Sequence, residues 1–332
     1  MLEHGGNLRA AARQYNIPLQ QWIDLSTGIA PNSWPVPTVP DSVWQRLPEA
    51  DDALLQSANH YYDCHHLLPV AGSQAAIQLL PMLFPAPMKV AVVSPCYGEH
   101  GPWWQRAGHD VSYIAADKID EQLDQFQLLV LANPNNPDGR LIKLDQLLEW
   151  RDRLLANKGC LLVDEAFMDV TPEHSIAQHS GDAGLIVLRS LGKFFGLAGL
   201  RLGFVCAWPL LLQAIQNRTG PWAVNHAARW IGARALADEP WQQQQRSMLL
   251  STSGRLSDLM TLKGFAPDGG TALFQYASCQ QADGLQQALA KQAIWIRRFG
   301  STAIRIGLPA DEAHWQRLQA ALSASSPRSI AS

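Results

Sequence analysis

The sequence lacks the features of a secreted disulfide protein, a membrane protein or a nucleic-acid-binding protein. Its five cysteines are scattered through 332 residues and never form a CxxC pair, which favours reduced thiols. No stretch approaches about 18 uninterrupted apolar residues, and Met1 to Gly6 contain no apolar signal core. The formal net charge of -3 includes no basic excess. We therefore expect a cytoplasmic protein without a membrane span, a nucleic-acid partner or a metal site.

What is present is the composition of an ordinary globular chain, with 47% hydrophobic and 17% charged residues. From about residue 69, β-rich runs alternate with segments of helical pattern. Several runs are nearly continuous in Val, Leu and Ile, as expected for strands covered on both faces of a sheet. The predicted strands are Lys89–Ser94, Asp110–Ala115, Leu128–Ala132, Cys160–Asp164, Leu185–Leu188 and Leu202–Ala207, and the predicted helices are Ser73–Phe84, Gly101–Ala107, Leu144–Ala156 and Glu173–Ser180. This alternation predicts an α/β domain with a mostly parallel sheet.

The flanking regions differ from this α/β pattern. Before it, short helices are predicted at Leu8–Tyr15, Asp41–Leu47 and Asp51–Tyr62, with Asp51 placed to cap the last of them. After Trp208, a long helical region broken at Gly220-Pro221 and near Glu239-Pro240 precedes shorter strands and helices, which is an α+β pattern. We predict an N-terminal arm at residues 1–30, a large α/β domain at 31–224 and a smaller α+β domain at 225–332.

One Gly-rich segment carries a lysine in a chemically suggestive setting. The segment is Ser190-Leu191-Gly192-Lys193-Phe194-Phe195-Gly196, followed by Gly199-Leu200-Arg201-Leu202-Gly203. The amine of Lys193 can form a Schiff base with an aldehyde, while Ser190, Arg201 and backbone N–H groups can bind a phosphate dianion. Taken alone, a solvated surface lysine is the commoner explanation. The residues upstream favour the phosphorylated aldehyde.

Polar and aromatic residues follow several of the predicted strands. Ser73-Gln74 open a helix after a small-residue turn, which suits an anion or a plain helix cap. Tyr97 follows one strand and suits either a flat ligand or simple packing. Asn136 follows another, in a proline-fixed loop that preorganises a donor or forms a surface turn, and Asp164 ends a buried strand. A carboxylate at that poorly solvated point stays ionised beside a cationic partner such as a protonated ring nitrogen.

Together, these residues in this order resemble the fold type I enzymes that depend on pyridoxal 5'-phosphate (PLP), the aspartate aminotransferase superfamily, over nearly the whole chain. The resemblance implies that Lys193 forms the Schiff base and that Asp164 pairs with the pyridinium nitrogen. It also implies that Asn136 donates to the ring 3-oxygen and that Tyr97 stacks on the ring. The residues implied to hold the cofactor phosphate are Ser73, Gln74, Ser190 and Arg201. Arg305, in Ala303-Ile304-Arg305-Ile306-Gly307, matches the arginine that pairs with an amino-acid substrate's carboxylate.

Two N-terminal stretches resemble one particular group of enzymes within this superfamily. His4-Gly5-Gly6-Asn7 and residues 22–29 resemble the corresponding segments of the threonine-phosphate decarboxylases of cobalamin biosynthesis. This implies that His4, Gly5 and Gly6 contact a substrate phosphate, although a terminal histidine alone is more typical of an unordered end. The implied activity is PLP-dependent decarboxylation of L-threonine O-3-phosphate to (R)-1-amino-2-propanol O-2-phosphate by a homodimer, with a small phosphorylated amino acid as the substrate.

Other activities stay open at this point, because the shared motifs do not decide which bond at the substrate's α-carbon breaks. The first alternative is histidinol-phosphate aminotransferase or a related class I/II aminotransferase. Phe167, where many of those enzymes carry tyrosine, counts against it. The second is a non-catalytic regulator of the same fold, although no added DNA-binding segment is visible. In addition, Leu47 replaces a tyrosine that often reaches a neighbouring subunit's cofactor phosphate, and Ala30 replaces a common asparagine, with Asn32 close by.

Overall fold

The computed structural model describes residues 4–50 and 52–325. In this part of the chain the strands are β1 Ile23–Leu25, β2 Leu67–Val70, β3 Lys89–Ser94, β4 Asp110–Ala115, β5 Leu128–Ala132, β6 Cys160–Asp164, β7 Leu185–Ser190, β8 Gly203–Cys206, β9 Gly269–Thr271, β10 Phe274–Ser278, β11 Ile294–Phe299 and β12 Ala303–Gly307. The α-helices are α1 Leu8–Tyr15, α2 Asp41–Gln45, α3 Ala53–Tyr62, α4 Ser73–Leu79, α5 His100–Arg106, α6 Ile119–Gln122, α7 Leu144–Ala156, α8 Pro209–Thr219, α9 His226–Ala237, α10 Glu239–Leu262, α11 Ala282–Ala290 and α12 Glu312–Ala324.

The chain divides into two compact units. The first unit contains the N-terminal residues up to Ser33, the short stretch 137–140 and the chain from Gln243 onward. The second unit contains residues 34–136 and 141–242.

The second unit is built on a seven-stranded sheet with the order β2-β8-β7-β6-β5-β3-β4 within the described residues. The neighbours from β4 through β3, β5 and β6 to β7 pair in parallel, and β8 runs antiparallel to both β7 and β2. The predicted α/β class with a mostly parallel sheet is therefore confirmed. Strand β2 is short, contains Pro69 and was not predicted from its sequence.

The central strands of this sheet explain why the polar residues that follow them lie at one edge. Every residue of β5, β6 and β7 is buried, and each large aliphatic side chain there contributes about 1.5–3 kcal/mol through removal from water. Ala132 at the end of β5 lies beside Asp164 at the end of β6, and Asp164 lies beside Leu188 of β7. The polar residues that follow these strands are thereby brought to the same carboxyl edge.

The first unit has its own five-stranded sheet in the described residues, with the order β1-β11-β12-β10-β9. Strand β1 pairs in parallel with β11, and the remaining neighbours are antiparallel. Helix α1 packs through Ala11 against Trp22, Ala290 and Ala293, which fixes the N-terminal helix to this unit.

Some predicted elements have different bounds or form other structures. Glu173–Ser180 forms two short 3-10 turns and no α-helix, since Pro172 and a Ser175 side chain bonded to Glu165 interrupt it. The helix predicted at Ser73–Phe84 ends at Leu79 and continues as a 3-10 turn containing Pro81. The cap predicted at Asp51 lies outside the described residues, and Asp52 accepts from the Leu54 N–H at 3.1 Å at the start of α3. Among the described helices, none is both long and apolar enough to cross a membrane.

Candidate active site

A cavity of about 150 Å³ lies at the carboxyl edge of the seven-stranded sheet. All the residues predicted to contact the cofactor line it, together with Phe167: Ser73, Gln74, Tyr97, Asn136, Asp164, Ser190, Lys193 and Arg201. They lie at or beyond the ends of β2, β3, β5, β6 and β7, except for Arg201, which lies just before β8, and they are far apart in sequence. The sheet therefore brings together one amine, one carboxylate, one guanidinium and several neutral donors.

Asp164 lines the cavity and is held by two neighbours. Its Oδ1 accepts from the backbone N–H of Ala166 at 3.1 Å, and its Oδ2 lies 3.0 Å from Nε2 of His100. His100 is 1% exposed and begins α5. No role for this residue was predicted from the sequence. No local pattern marks it, because its contact with Asp164 depends on where the chain after β3 passes the end of β6.

Tyr97 and Gln74 belong to one hydrogen-bonded network. The Tyr97 hydroxyl donates to Oε1 of Gln74 at 3.1 Å, and Nε2 of Gln74 donates to Glu99 at 3.1 Å. The Trp103 indole donates to the same Glu99 oxygen at 2.9 Å. Glu99 thus sets the orientation of the Gln74 amide, and the Gln74 oxygen in turn holds the Tyr97 ring.

The loop that carries Asn136 is held by the asparagines before it. The side chain of Asn133 donates to the Ile142 carbonyl at 3.1 Å and accepts from its N–H at 2.7 Å. Asn135 donates to the Pro95 carbonyl at 2.9 Å. These bonds to backbone groups preorganise the loop, so that Asn136 reaches the cavity without a large entropic cost on ligand binding.

Another part of the cavity lining is shaped to hold an anion. Gly72 has a φ of 78°, and a Cβ there would lie 2.4 Å from a guanidinium nitrogen of Arg201. Only glycine at this position lets the cation approach the start of α4 so closely. The Ser190 hydroxyl lies nearby in the cavity wall and accepts from the Gly192 N–H at 3.3 Å.

Lys193 and Phe167 adjoin each other in the cavity lining. The Lys193 Nζ lies 5.4 Å from the centroid of the Phe167 ring, and Phe167 is 6% exposed. The ring covers the amine without offering it a hydrogen-bond acceptor, and it has no donor for a ligand oxygen.

A buried ion network lies directly behind these residues. Arg189 donates to Glu165 and, at 2.6 Å, to Asp169, and its guanidinium stacks 4.5 Å from the Tyr62 ring centroid. Burial raises the pKa of the Glu165 carboxyl, and the Arg189 charge opposes that shift. Because Glu165 follows Asp164 and Arg189 precedes Ser190, the network ties the ends of β6 and β7 together.

The predicted substrate residues belong to the first unit. Arg305 of β12 is buried and donates to the Ser26 carbonyl at 2.8 Å. Gly6 donates its N–H to the Ser26 hydroxyl at 2.8 Å, whereas His4 is exposed. The structure thus brings Gly5, Gly6 and Arg305 together around Ser26.

Arg305 has a cationic neighbour that the sequence analysis missed. Arg297 of β11 is directly in register with it across the strand pair. Burial lowers the pKa of Arg305, and the charge of Arg297 lowers it further. Two adjacent guanidinium groups favour an anionic ligand, because an anion relieves their repulsion.

The residues of the sheet-edge cavity fit PLP. The recess left by the missing Cβ of Gly72 admits Arg201 beside the Ser73 and Ser190 hydroxyls, which suits a phosphate. In the same cavity, the buried Asp164 suits a protonated ring nitrogen and Lys193 suits an aldehyde.

Comparisons with known proteins agree with this arrangement. Residues 22–324 match the family described as aminotransferase class I and II. The chain is 51% identical over 323 residues to a threonine-phosphate decarboxylase of Pseudomonas aeruginosa, covering 97% of each chain. It is 41% identical over 326 residues to a threonine-phosphate decarboxylase of a Sinorhizobium species, covering 96% and 97%. In fold, it is similar to a histidinol-phosphate aminotransferase of Sinorhizobium meliloti solved with pyridoxal-5'-phosphate, with a TM-score of 0.80, 19% identity and coverage of 98% and 95%.

Proposed function

Since the chain belongs to the class I and II aminotransferase family, we infer that it is a PLP-dependent decarboxylase acting on L-threonine O-3-phosphate. The product is (R)-1-amino-2-propanol O-2-phosphate, a precursor of the cobalamin side chain. The observation that carries this inference is the near-full-length identity to relatives named threonine-phosphate decarboxylase. The residues that line the sheet-edge cavity fit the PLP on which that reaction depends.

We propose the following roles for the cavity residues. Lys193 bonds to the cofactor's aldehyde, Asp164 pairs with its ring nitrogen, and Asn136 donates to its ring oxygen. Tyr97 lies against the ring, held by Gln74. Phosphate binding falls to the hydroxyls and backbone of Ser73 and Ser190, the backbone of Gln74, and the guanidinium of Arg201.

The reaction needs an electron sink and a proton. The chemistry that bound PLP would supply is a sink for the electron pair left at the substrate's α-carbon as the carboxylate departs as CO2. Asp164 would keep the ring nitrogen protonated, and the His100 ring holds the Asp164 carboxylate in place. After the substrate's amine has displaced Lys193 from the cofactor's aldehyde, the freed Nζ would deliver a proton to the α-carbon, and solvent would later restore that proton.

We propose that the first unit supplies the substrate's anion contacts. Arg305, assisted by its cross-strand neighbour Arg297, pairs with the carboxylate, since a buried guanidinium group binds a carboxylate strongly. His4, Gly5 and Gly6 contact the substrate phosphate. In this proposal the arm at residues 1–30 and the small domain at 225–332 bind substrate, and the large domain at 31–224 holds the cofactor.

We further propose that the enzyme works as a cytoplasmic homodimer. Trp44, Leu47 and Trp222 of the second unit are 66%, 61% and 58% exposed. The His226 ring lies 3.1 Å from the Arg46 carbonyl, which brings the segments carrying Leu47 and Trp222 close together. Large exposed apolar side chains in one area are typical of a protein interface.

Product analysis tests the activity. Purified protein and PLP are incubated with L-threonine O-3-phosphate in the absence of any keto acid, and CO2 and aminopropanol phosphate are measured. We expect equal amounts of both. If neither forms, while histidinol phosphate plus 2-oxoglutarate yields glutamate, the protein is an aminotransferase of this family and the decarboxylase proposal is wrong.

A further inference from the structure

Ser26 is a buried residue that links three segments of the first unit that are distant in sequence. It follows β1 directly and is 0% exposed. Its carbonyl accepts from Arg305 at 2.8 Å, and its hydroxyl accepts from the Gly6 N–H at 2.8 Å. The segment predicted to contact the substrate phosphate and the arginine predicted to bind its carboxylate therefore share one anchor.

Asp24 fixes the orientation of that anchor. Its Oδ1 accepts from the Ser26 hydroxyl at 2.6 Å and from the Ser26 N–H at 2.9 Å. Because the hydroxyl has one proton, donation to Asp24 leaves its lone pairs for Gly6. The Asp24 carboxylate thus orients the Ser26 hydroxyl. Its proton points to Asp24, and its oxygen accepts from the Gly6 N–H.

Gly5 completes the junction by close backbone packing. A Cβ at Gly5 would lie 2.4 Å from the Ser26 carbonyl oxygen, the same atom that Arg305 contacts. A side chain at residue 5 would therefore push against the acceptor of the arginine. The sequence pattern Gly5-Gly6 has a structural reason in addition to its proposed contact with phosphate.

We propose that Ser26 is a positioning residue that sets the distance between the two anion-binding groups, the Gly5-Gly6 segment and Arg305. It acts through the hydrogen bond to Gly6 and the carbonyl that receives Arg305, and it contacts no reacting atom. The proposal rests on the proposed substrate, whose carboxylate and phosphate are held at a fixed separation by a short carbon chain. A fixed spacing selects such a dianionic amino acid over one that has only the carboxylate.

The test compares Ser26→Ala with a matched control, Ser253→Ala. Ser253 is also a buried serine of the first unit, and its hydroxyl likewise accepts one N–H, from Gln275 at 2.7 Å, and donates to a second group, the Thr271 carbonyl at 3.1 Å. Hydrogen exchange of the N-terminal peptide is measured on the full-length protein without substrate. Steady-state kinetics with L-threonine O-3-phosphate are measured on the PLP-loaded enzyme.

For Ser26→Ala we expect amide exchange at the N-terminal peptide to be about tenfold faster and KM to be about tenfold higher, with kcat within about twofold of wild type. Ser253→Ala should change neither the exchange nor KM. Gly5→Ala provides a second route to the same junction if Ser26→Ala does not fold, because its Cβ would push against the Ser26 carbonyl, and it should speed amide exchange at the N-terminal peptide.

Unchanged exchange and KM in Ser26→Ala, or equal effects in Ser26→Ala and Ser253→Ala, would overturn the positioning role. Those results leave the proposed function intact as long as the wild-type protein releases CO2. If the wild-type protein has no decarboxylase activity, the proposed function fails by itself. The exchange measurement then decides the anchoring of residues 5–6 to Ser26 independently.

Discussion

At the scale of single residues, the cavity at the sheet edge contains groups that are oriented by neighbours outside it. The His100 ring lies against the carboxylate of Asp164, and Glu99 orients the amide of Gln74. These groups are already oriented before a ligand binds, which lowers the entropic cost of binding and reaction.

We predict that Lys193→Ala removes the visible absorbance of lysine-bound PLP and lowers turnover by on the order of 10³-fold or more, because no other lysine lines the cavity in the described part of the chain. Two measurements check this prediction: the absorbance that remains after dialysis, and the rate of CO2 release. Lys118→Ala, at an exposed lysine, serves as the control and should keep both. If the Lys193→Ala protein kept the absorbance of lysine-bound PLP, the assignment of Lys193 as the lysine that bonds to the cofactor would be wrong.

We predict that His100→Phe lowers kcat by about 10- to 100-fold and weakens PLP binding, because it keeps the ring volume and removes the hydrogen bond to the Asp164 carboxylate. Titration of the apoenzyme with PLP, followed by kinetics, measures both effects. The exposed His60 offers a control in His60→Phe. Wild-type cofactor affinity in His100→Phe would show that Ala166 alone holds Asp164.

At the scale of elements, the strands of the large sheet determine which loops meet. Strands β5, β6 and β7 are buried along their whole length, so their ends cannot slide without exposing apolar side chains. Arg189, Glu165 and Asp169 add a buried ion network at the same ends. Removal of one partner from such a network usually costs about 3–5 kcal/mol.

We predict that Gly72→Ala weakens PLP binding by at least about tenfold and lowers the free energy of unfolding by about 1–2 kcal/mol. The new Cβ would meet Arg201 at 2.4 Å, and the backbone would keep its positive φ at a strain cost. Gly199→Ala is the control, since a Cβ there meets nothing within 4 Å. Cofactor titration and thermal unfolding distinguish the two variants, and equal behaviour would refute the role of Gly72.

The elements also show where sequence patterns mislead. Glu173–Ser180 has a helical pattern, but Glu165 accepts bonds from Ser175 and Ile176 and draws the segment into 3-10 turns. Strand β2 has too short a run to be predicted, and its pairing with β8 supplies the missing stabilisation. Tertiary contacts outweighed local propensity in both cases.

At the scale of the whole molecule, the exposed aromatic residues of the second unit point to self-association. We predict a homodimer by light scattering and at least about a tenfold weaker dimer in Trp222→Asp, because a charge would replace a large apolar contact. Leu262→Asp changes a side chain that is 77% exposed at the end of α10 and serves as the control. A monomeric wild-type protein would rule out the proposed assembly.

The sequence by itself determined the class of fold, and it predicted which residues would line one cavity. Apolar runs that alternate with helical segments can only be covered on both faces in an α/β sheet, and the groups that follow such runs must meet at its carboxyl edge. The predicted cavity residues, from Ser73 to Arg201, therefore came together as the pattern indicated.

Only the tertiary structure decided which neighbours orient those residues. His100 and Glu99 carry no pattern of their own, and Ser26 lies 279 positions from Arg305 in the chain. Hydrogen bonds between such distant positions depend on strand register and on the exact path of loops, and a one-residue shift would aim each side chain elsewhere. Local sequence determines what a residue can do chemically, whereas long-range packing determines what it faces.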